Sequence, residues 1–283
     1  MSNVADGRPI LSVVIANYNY GHFLEDAIRS ILGQGMGNLV EIIVCDAAST
    51  DNSVDIIRKY ADKIAWWCSE KDHGQSEAFN KGFSHARGDW LTWLNADEVY
   101  MPDTLRRFAE LVRRKPSAQW ITGNELSFDG ETHRVSYVKW GPHVQFPWLR
   151  RKHAPSASFG PSSFWRKDVY EKLGPIDEDL HYAMDVDYWA RLTMAGIPQT
   201  RLNHHCWAFR VHNGSKTAGA QSPEVKRARH LEWEKWHRQN DYYYEYSWKN
   251  PWYCIWMIGR LLDGSLLMRF YKQCRLVGME LPL

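Results

Sequence analysis

Ala86-Arg-Gly-Asp-Trp-Leu-Thr-Trp-Leu-Asn-Ala-Asp-Glu98 reads as a buried strand that ends in acid. Gly88 breaks a preceding helical pattern, Trp90 to Leu94 have the aromatic and β-branched content of a strand, and Asn95, Asp97 and Glu98 follow at its carboxyl end. In open α/β sheets, ligands sit beyond the carboxyl ends of the strands. Closely spaced carboxylates there suit a hard divalent cation that carries phosphate oxygens. The plainer alternative is a polar turn leading to the next helix, with Asp103 as a solvated cap.

Working outward, Ile10 to Ala16 is a continuous apolar run of the kind found in a buried parallel strand, with Asn17-Tyr-Asn-Tyr-Gly21 as the loop beyond it. Phe23, Ala27, Ile28, Ile31 and Leu32 recur at helical spacing until the Gly33–Gly37 cluster. A second strand, Val40 to Cys45, ends in Asp46-Ala-Ala-Ser-Thr-Asp51 and leads to an amphipathic helix through Val54, Ile57 and Tyr60. Ile64 to Cys68 forms a third short strand, and Gln75 to Ala86 a helix leading back to the quoted stretch. Alternating strands and helices predict an α/β fold with a mostly parallel sheet flanked by helices on both faces.

Three strands therefore end in polar loops on one edge: Tyr18-Asn19, Asp46 with Asp51, and Asn95-Asp97-Glu98. That convergence predicts a nucleotide-type crevice. Neither Gly-x-Gly-x-x-Gly nor Gly-x4-Gly-Lys-Ser/Thr occurs, which disfavours dinucleotide oxidoreductase and P-loop chemistry. The 283 residues carry a net charge of +2, unevenly spread: positions 1–200 hold 22 Lys+Arg against 26 Asp+Glu, and positions 201–283 hold 13 against 7. No nucleic-acid partner is expected. Five cysteines without a Cys-x-x-Cys pair predict neither a disulfide framework nor a zinc site and fit a reducing compartment. The first apolar run is too short to span a membrane, so a cytoplasmic location is expected.

Val13-Val-Ile-Ala-Asn-Tyr-Asn19, Val44-Cys-Asp-Ala-Ala-Ser-Thr-Asp-Asn-Ser53, Ser69 to Gly82 and Trp93-Leu-Asn-Ala-Asp-Glu98 resemble the successive motifs of family 2 inverting glycosyltransferases with the GT-A fold. Gly174 to Leu192 is similar to that family's acceptor-side motif, and Phe209 to Thr217 to its C-terminal His motif. The resemblance implies a glycosyltransferase domain over residues 1–217, with a nucleotide-sugar half at about 9–100 and an acceptor half at about 101–217. Residues 218–283 would be a helical, aromatic and basic extension.

By that resemblance, Asp46 hydrogen-bonds the donor's base, Tyr18 and Asn19 line the same pocket, and Asp72 lies near the nucleotide. Asp51 either joins that crevice or is only a helix cap. Gln75, Asn80 and Lys81 are donor-side candidates, Lys81 for a phosphate, although an exposed helical lysine is the plainer reading. Asn95 and Glu98 depart from the family's Asp-x-Asp. Asp97 remains as the direct ligand of Mn2+ or Mg2+, with Asn95 serving ribose or a metal-bound water, and His212 is the second ligand. Imidazole suits Mn2+ better than Mg2+.

In Met184-Asp-Val-Asp187 two acids stand roughly 200° apart on a helix, so only one can face an acceptor. The family's Glu-Asp motif aligns with Met184-Asp185, which makes Asp185 the general base. Asp187 is the alternative base, or else pairs with Arg191 four residues on.

Trp120 to Gly123 and Val135 to Lys139 fit strands, Trp140 to Ser163 has no clear period, and Phe164 to Asp168 fits the start of a helix. Arg150 to His153 could meet an anionic, lipid-linked acceptor or form a solvated face. Glu224 to Asn240 has a charged helical pattern, and Pro251 to Tyr271 an apolar one interrupted by Arg260, Asp263 and Arg269. The latter favours a helix on a surface: its own domain, a second subunit, or the inner membrane face.

The expected function is transfer of a sugar, with inversion, from a nucleotide diphospho-sugar donor to a hydroxyl of a glycan or glycolipid acceptor in surface polysaccharide or lipopolysaccharide synthesis. Two alternatives stay open. A sugar nucleotidyltransferase would act on a nucleoside triphosphate and a sugar phosphate. A non-catalytic nucleotide-sugar-binding protein would bind the donor without hydrolysing it.

Overall fold

The structure, a computed structural model, describes residues 7–139, 160–216, 222–240, 258, 261–262 and 265–281. Four strands, β1 (Leu11–Asn17), β2 (Val40–Asp46), β3 (Trp66–Ser69) and β4 (Trp90–Asn95), run parallel in the order β3-β2-β1-β4. Register pairs Asn17 with Asp46, Asp46 with Ser69 and Ala16 with Asn95, so the carboxyl ends lie level. The connecting helices are α1 (Gly21–Leu32), α2 (Ser53–Lys59) and α3 (Gln75–His85).

Both faces of this half-sheet are covered, which is why its strands read as apolar runs rather than alternating ones. Leu11, Val13 and Ile15 pack with Leu24, Ile28 and Ile31 of α1, while Val14 packs against Phe79 and Phe83 of α3. Gly88 has a steric reason as well as a helix-breaking one. A Cβ there would stand 2.7 Å from the backbone nitrogen of Ser12, so the chain can approach β1 this closely only as glycine.

Beyond β4 the sheet becomes mixed. It continues through β5 (Val99–Tyr100), β6 (Trp120–Asp129), β7 (Val135–Lys139), β8 (Ser163–Arg166) and β9 (Gln199–Val211), in the order β4-β8-β6-β9-β5 with β7 beside β6. β8 is antiparallel to both neighbours and β6 is parallel to β9. Ser163 to Arg166 is thus a central strand rather than the start of a helix. Ser163, Phe164 and Trp165 are all buried between β4 and β6, and the helix α5 (Lys167–Leu173) begins only after them.

The helices α4 (Thr104–Arg114), α6 (Met184–Met194), α7 (Pro223–Asn240) and α8 (Ser265–Leu276) are the remaining described α-helices. On the α3 face an aromatic cluster holds the two halves together: Trp93 stacks on Trp189 at 5.0 Å and meets Trp165 at 5.1 Å. Such pairs contribute about 0.5–1.5 kcal/mol each beyond their buried area. Trp236 of α7 is buried in the same cluster. The segment after α8 lies along β7, with Val135 donating to Met279 O at 2.8 Å and Leu281 to His133 O at 2.9 Å. Among the described residues no helix is long and apolar enough to cross a membrane. The Arg150–His153 run and most of Asp241 to Tyr271 lie outside the described residues.

Candidate active site

A cavity of about 1300 Å3 opens at the carboxyl ends of β1 and β4, between α6 and α7. Its walls include Tyr18, Asn19, Asp72, Gln75, Asn95 and Asp97 from the first half of the chain. The loops after β1 and β2 are stitched to each other. Asn19, in a left-handed conformation at φ 53°, accepts from Thr50 N at 2.8 Å, and its own N–H donates to Ser49 Oγ at 2.8 Å. Asp51 accepts from Gly21 N at 2.8 Å and from Ser53 N at 3.0 Å, so it caps the following turn and also anchors the start of α1.

Asp97 and His212 are brought together across 115 residues: His212 Nε2 lies 3.1 Å from Asp97 Oδ2. Arg210 fixes this corner. Its guanidinium stacks on Phe23 and Phe128, donates to the Asp97 carbonyl at 3.1 Å, and pairs with Asp26 at 2.8 Å. Tyr20 donates to Gly214 O at 2.8 Å, and burial, with Asp97 nearby, pushes its hydroxyl up to about 12. Glu98 is held well above the usual carboxylate range by burial and then by the charge of Asp97. Among the described residues no three His, Cys, Asp or Glu side chains form a metal centre. Asp97 and His212 offer one oxygen and one nitrogen, a set that fits a divalent cation whose other positions are filled by ligand and water.

Gln75 donates to Asn95 Oδ1, so both predicted donor-side amides share one spot on the wall. Asp72 accepts from Gly74 N at 3.0 Å, and burial raises its carboxyl. Three other predicted donor-side residues are placed off the wall. Asp46 is 1% exposed and accepts from Asn17, Ser69 and both the backbone and hydroxyl of Ser49, which saturates its carboxylate and locks the ends of β1, β2 and β3 together. Asn80 uses its amide on Ile176 N, Ile176 O, Tyr170 and Glu178, and Lys81 pairs with Glu70 at 3.0 Å. Ala47 and Ala48 line the cavity where the Asp46 carboxylate does not.

On α6 the two acids part as their helical spacing requires. Asp185 lines the cavity, and its carboxyl is raised by burial against the N–H of Val186 and the charges of Lys216 and Lys139. Asp187 points away, held by Arg191 at 2.8 Å and by the indole N–H of Trp236 at 2.9 Å.

Two wall residues, Glu125 and Lys216, and one residue off the wall, Glu232, have no counterpart among the predicted ones. Glu125 of β6 is 2% exposed and paired with Lys139 at 2.8 Å; burial still raises its carboxyl, with Asp185 adding to the shift. Lys216 donates to His181 O and lies 3.5 Å from Gln75 Oε1. Glu232 of α7 accepts from the backbone of His181, Tyr182 and Ala183 at 3.0, 2.6 and 2.7 Å, fixing the approach to α6. The Gly-Ser-Lys-Thr run after His212 pointed toward Lys216; nothing local pointed to Glu125 or Glu232.

A parallel half-sheet with a crevice at its carboxyl ends, continued by a mixed half, is the GT-A type of fold. Solved structures with this fold include Staphylococcus aureus TarS residues 1–349 in complex with UDP-GlcNAc, at TM-score 0.58 and 16% identity over 78% of this chain and 66% of that one. A second is the mannosyltransferase PcManGT from Pyrobaculum calidifontis with GDP-Man and Mn2+, at TM-score 0.56 and 20% identity over 79% of this chain and 64% of that one.

The chain belongs to glycosyl transferase family 2, whose profile matches residues 12–174. An uncharacterised glycosyltransferase of Nostoc sp. is 33% identical over 59% of this chain and 54% of its own length, and one of Rickettsia typhi is 29% identical over 64% and 58%. The chain thus matches a little over half the length of these curated relatives. A Bacillus subtilis protein named for teichuronic acid biosynthesis, TuaG, is 30% identical over 42% of this chain and 48% of its own.

Proposed function

We propose that the protein transfers a sugar from a nucleotide diphospho-sugar to a hydroxyl of a glycan or glycolipid acceptor, with inversion at the anomeric carbon, in surface polysaccharide synthesis. The observation that carries this reading is that Asp97, which lines the cavity together with Asp185 but not Asp187, is met from behind the wall by His212 at 3.1 Å. The TarS and PcManGT titles name a UDP-sugar and a GDP-sugar, which makes these the first donors to test. TuaG's name supports a polysaccharide acceptor.

Asp97 and His212 would hold a divalent cation, Mn2+ before Mg2+. When bound, it would offset the charge of the departing nucleoside diphosphate. Arg210 keeps Asp97 oriented through its carbonyl, and Gln75 with Asn95 presents paired amides to the donor. Asp185 takes the proton from the acceptor hydroxyl as that oxygen bonds to the anomeric carbon. Partial burial raises its basicity for this step. Asp46 supports the base pocket by locking three strand ends, while Ala47, Ala48, Tyr18 and Asn19 form its surface.

We also propose residues 1–240 as the catalytic unit, because α7 supplies Arg229, Trp233 and Trp236 to the cavity wall. Residues 241–283, apart from the segment that lies along β7, would form a contact with the cytoplasmic membrane face or with a second subunit.

Calorimetric titration of UDP and GDP, with and without Mn2+, tests the cation site. Asp97→Ala should abolish the Mn2+-dependent part of binding, and His212→Ala should weaken it. Wild-type responses from both variants would mean that the pair does not hold the cation.

A further inference from the structure

Cys45 and Cys68 are register partners on the adjacent parallel strands β2 and β3. Neighbouring strands lie about 4.8 Å apart, inside the roughly 4.4–6.8 Å Cα separation that a disulfide spans. Register partners project from the same face of a sheet, and both cysteines lie in the α3-side apolar cluster, Cys45 within it and Cys68 packed against it. Cys45 is buried, whereas Cys68 is partly exposed on β3, the end strand of the sheet order.

The charges around the pair come from three places. Lys81 of α3 and Glu70, 3.0 Å from each other, both act on Cys68, and Lys81 and Asp72 act on Cys45. The Cys45 thiol, followed by Lys81, holds the Cys68 thiol below its ordinary value, whereas the Cys45 thiol is pushed up. The cysteine on the end strand, partly exposed, is therefore the one placed to react first, with the buried sulfur of Cys45 beside it.

We propose that Cys45 and Cys68 form a reversible redox site that is oxidised by a peroxide to an intramolecular disulfide. The Cys68 thiolate attacks one peroxide oxygen, the O–O bond breaks, and a proton converts the leaving hydroxide to water, giving a sulfenic acid on Cys68. The Cys45 sulfur then attacks the Cys68 sulfur; the S–O bond breaks, and the hydroxyl leaves with the Cys45 proton as a second water. Two electrons pass from the thiols to one hydrogen peroxide, and a thiol reductant reverses the bond. The site does not depend on how the cavity is read. It gives Lys81, which is absent from the cavity wall, a thiolate to face.

The test uses the full chain with Cys254→Ser and Cys274→Ser, so that Cys206 is the other remaining thiol. Cys206 serves as an internal control because it is buried and its thiol is pushed up to about 12. After hydrogen peroxide treatment of the folded protein, mass spectrometry should show loss of two hydrogens, a Cys45–Cys68 cross-linked peptide and full reversal by dithiothreitol. Cys45→Ala should instead leave a dimedone-reactive sulfenic acid on Cys68. Lys81→Met should slow oxidation severalfold without changing the cross-link. Cys68 accumulating as sulfinic acid while Cys45 stays a free thiol would overturn the proposal, as would no reaction at either residue before Cys206 is modified.

Discussion

Asp185 and Asp187 belong to the same helical turn yet sit in opposite environments, and each implies its own experiment. Asp185→Asn keeps the shape but removes the base, so transfer should fall by roughly 10²- to 10⁴-fold with nucleotide affinity retained. A normal rate in that variant, with collapse in a folded Asp187→Asn, would move the role to Asp187. The same substitution should affect stability. The folded carboxyl of Asp185 is raised, so its contribution to stability is complete below the ordinary aspartate range and is lost as pH rises through the folded value. At neutral pH and without metal, Asp185→Asn should therefore melt above wild type, and the gain should vanish on acidification. A melting series across pH checks this, and an unchanged difference would show that burial does not strain Asp185. Transfer by wild type should likewise need a pH above the usual carboxylate range before reaching its plateau. Asp187 and Arg191 were legible in the sequence because a helix places i and i+4 together. The saturation of Asp46 was not, because Ser69, one of its donors, lies 23 residues away on another strand.

Among elements, α7 shows how far a helical pattern can be read. Its charged periodicity gave its existence and limits, but Trp233 and Trp236 turn inward because the α3/α6 face offers an aromatic cluster that only the folded sheet creates. Glu232 makes this docking specific through its three backbone bonds ahead of α6. Glu232→Ala leaves those N–H groups to water or unpaired. It should cost about 1–3 kcal/mol in urea denaturation and lower turnover more than donor affinity, because Asp185 follows within two residues. Unchanged stability and turnover would remove Glu232 as a positioning residue. The strand β9 was hidden for the opposite reason. Asn203, His204 and His205 interrupt its apolar alternation, and the register shifts opposite Thr122 to Glu125 accommodate them.

For the whole molecule, the four parallel strands and three helices of the first half were readable because each connection is local and each strand is apolar on both faces. The mixed half joins distant segments, so its order β8-β6-β9-β5 is set by packing that no sequence window contains. Truncation tests the proposed limits of the catalytic unit. A chain ending after residue 240 should keep nucleotide binding and change either its oligomeric mass or its association with anionic vesicles. A chain ending after residue 217 should lose nucleotide binding together with stability, since Trp236 is 2% exposed in the core. Retained binding in that shorter chain would place α7 outside the site.

Tyr20 bonds to Gly214, and Trp236 to Asp187, so the cavity is closed by segments far apart in the order of synthesis. At about 5–20 residues per second, roughly ten to forty seconds separate the making of Tyr20 from that of Trp236. During that interval the emerging chain carries the Phe79 and Trp93 face without its final cover. The nascent protein should therefore engage a holding chaperone until α7 is released from the ribosome, and ribosome-bound chains arrested before and after that point should differ sharply in chaperone crosslinking.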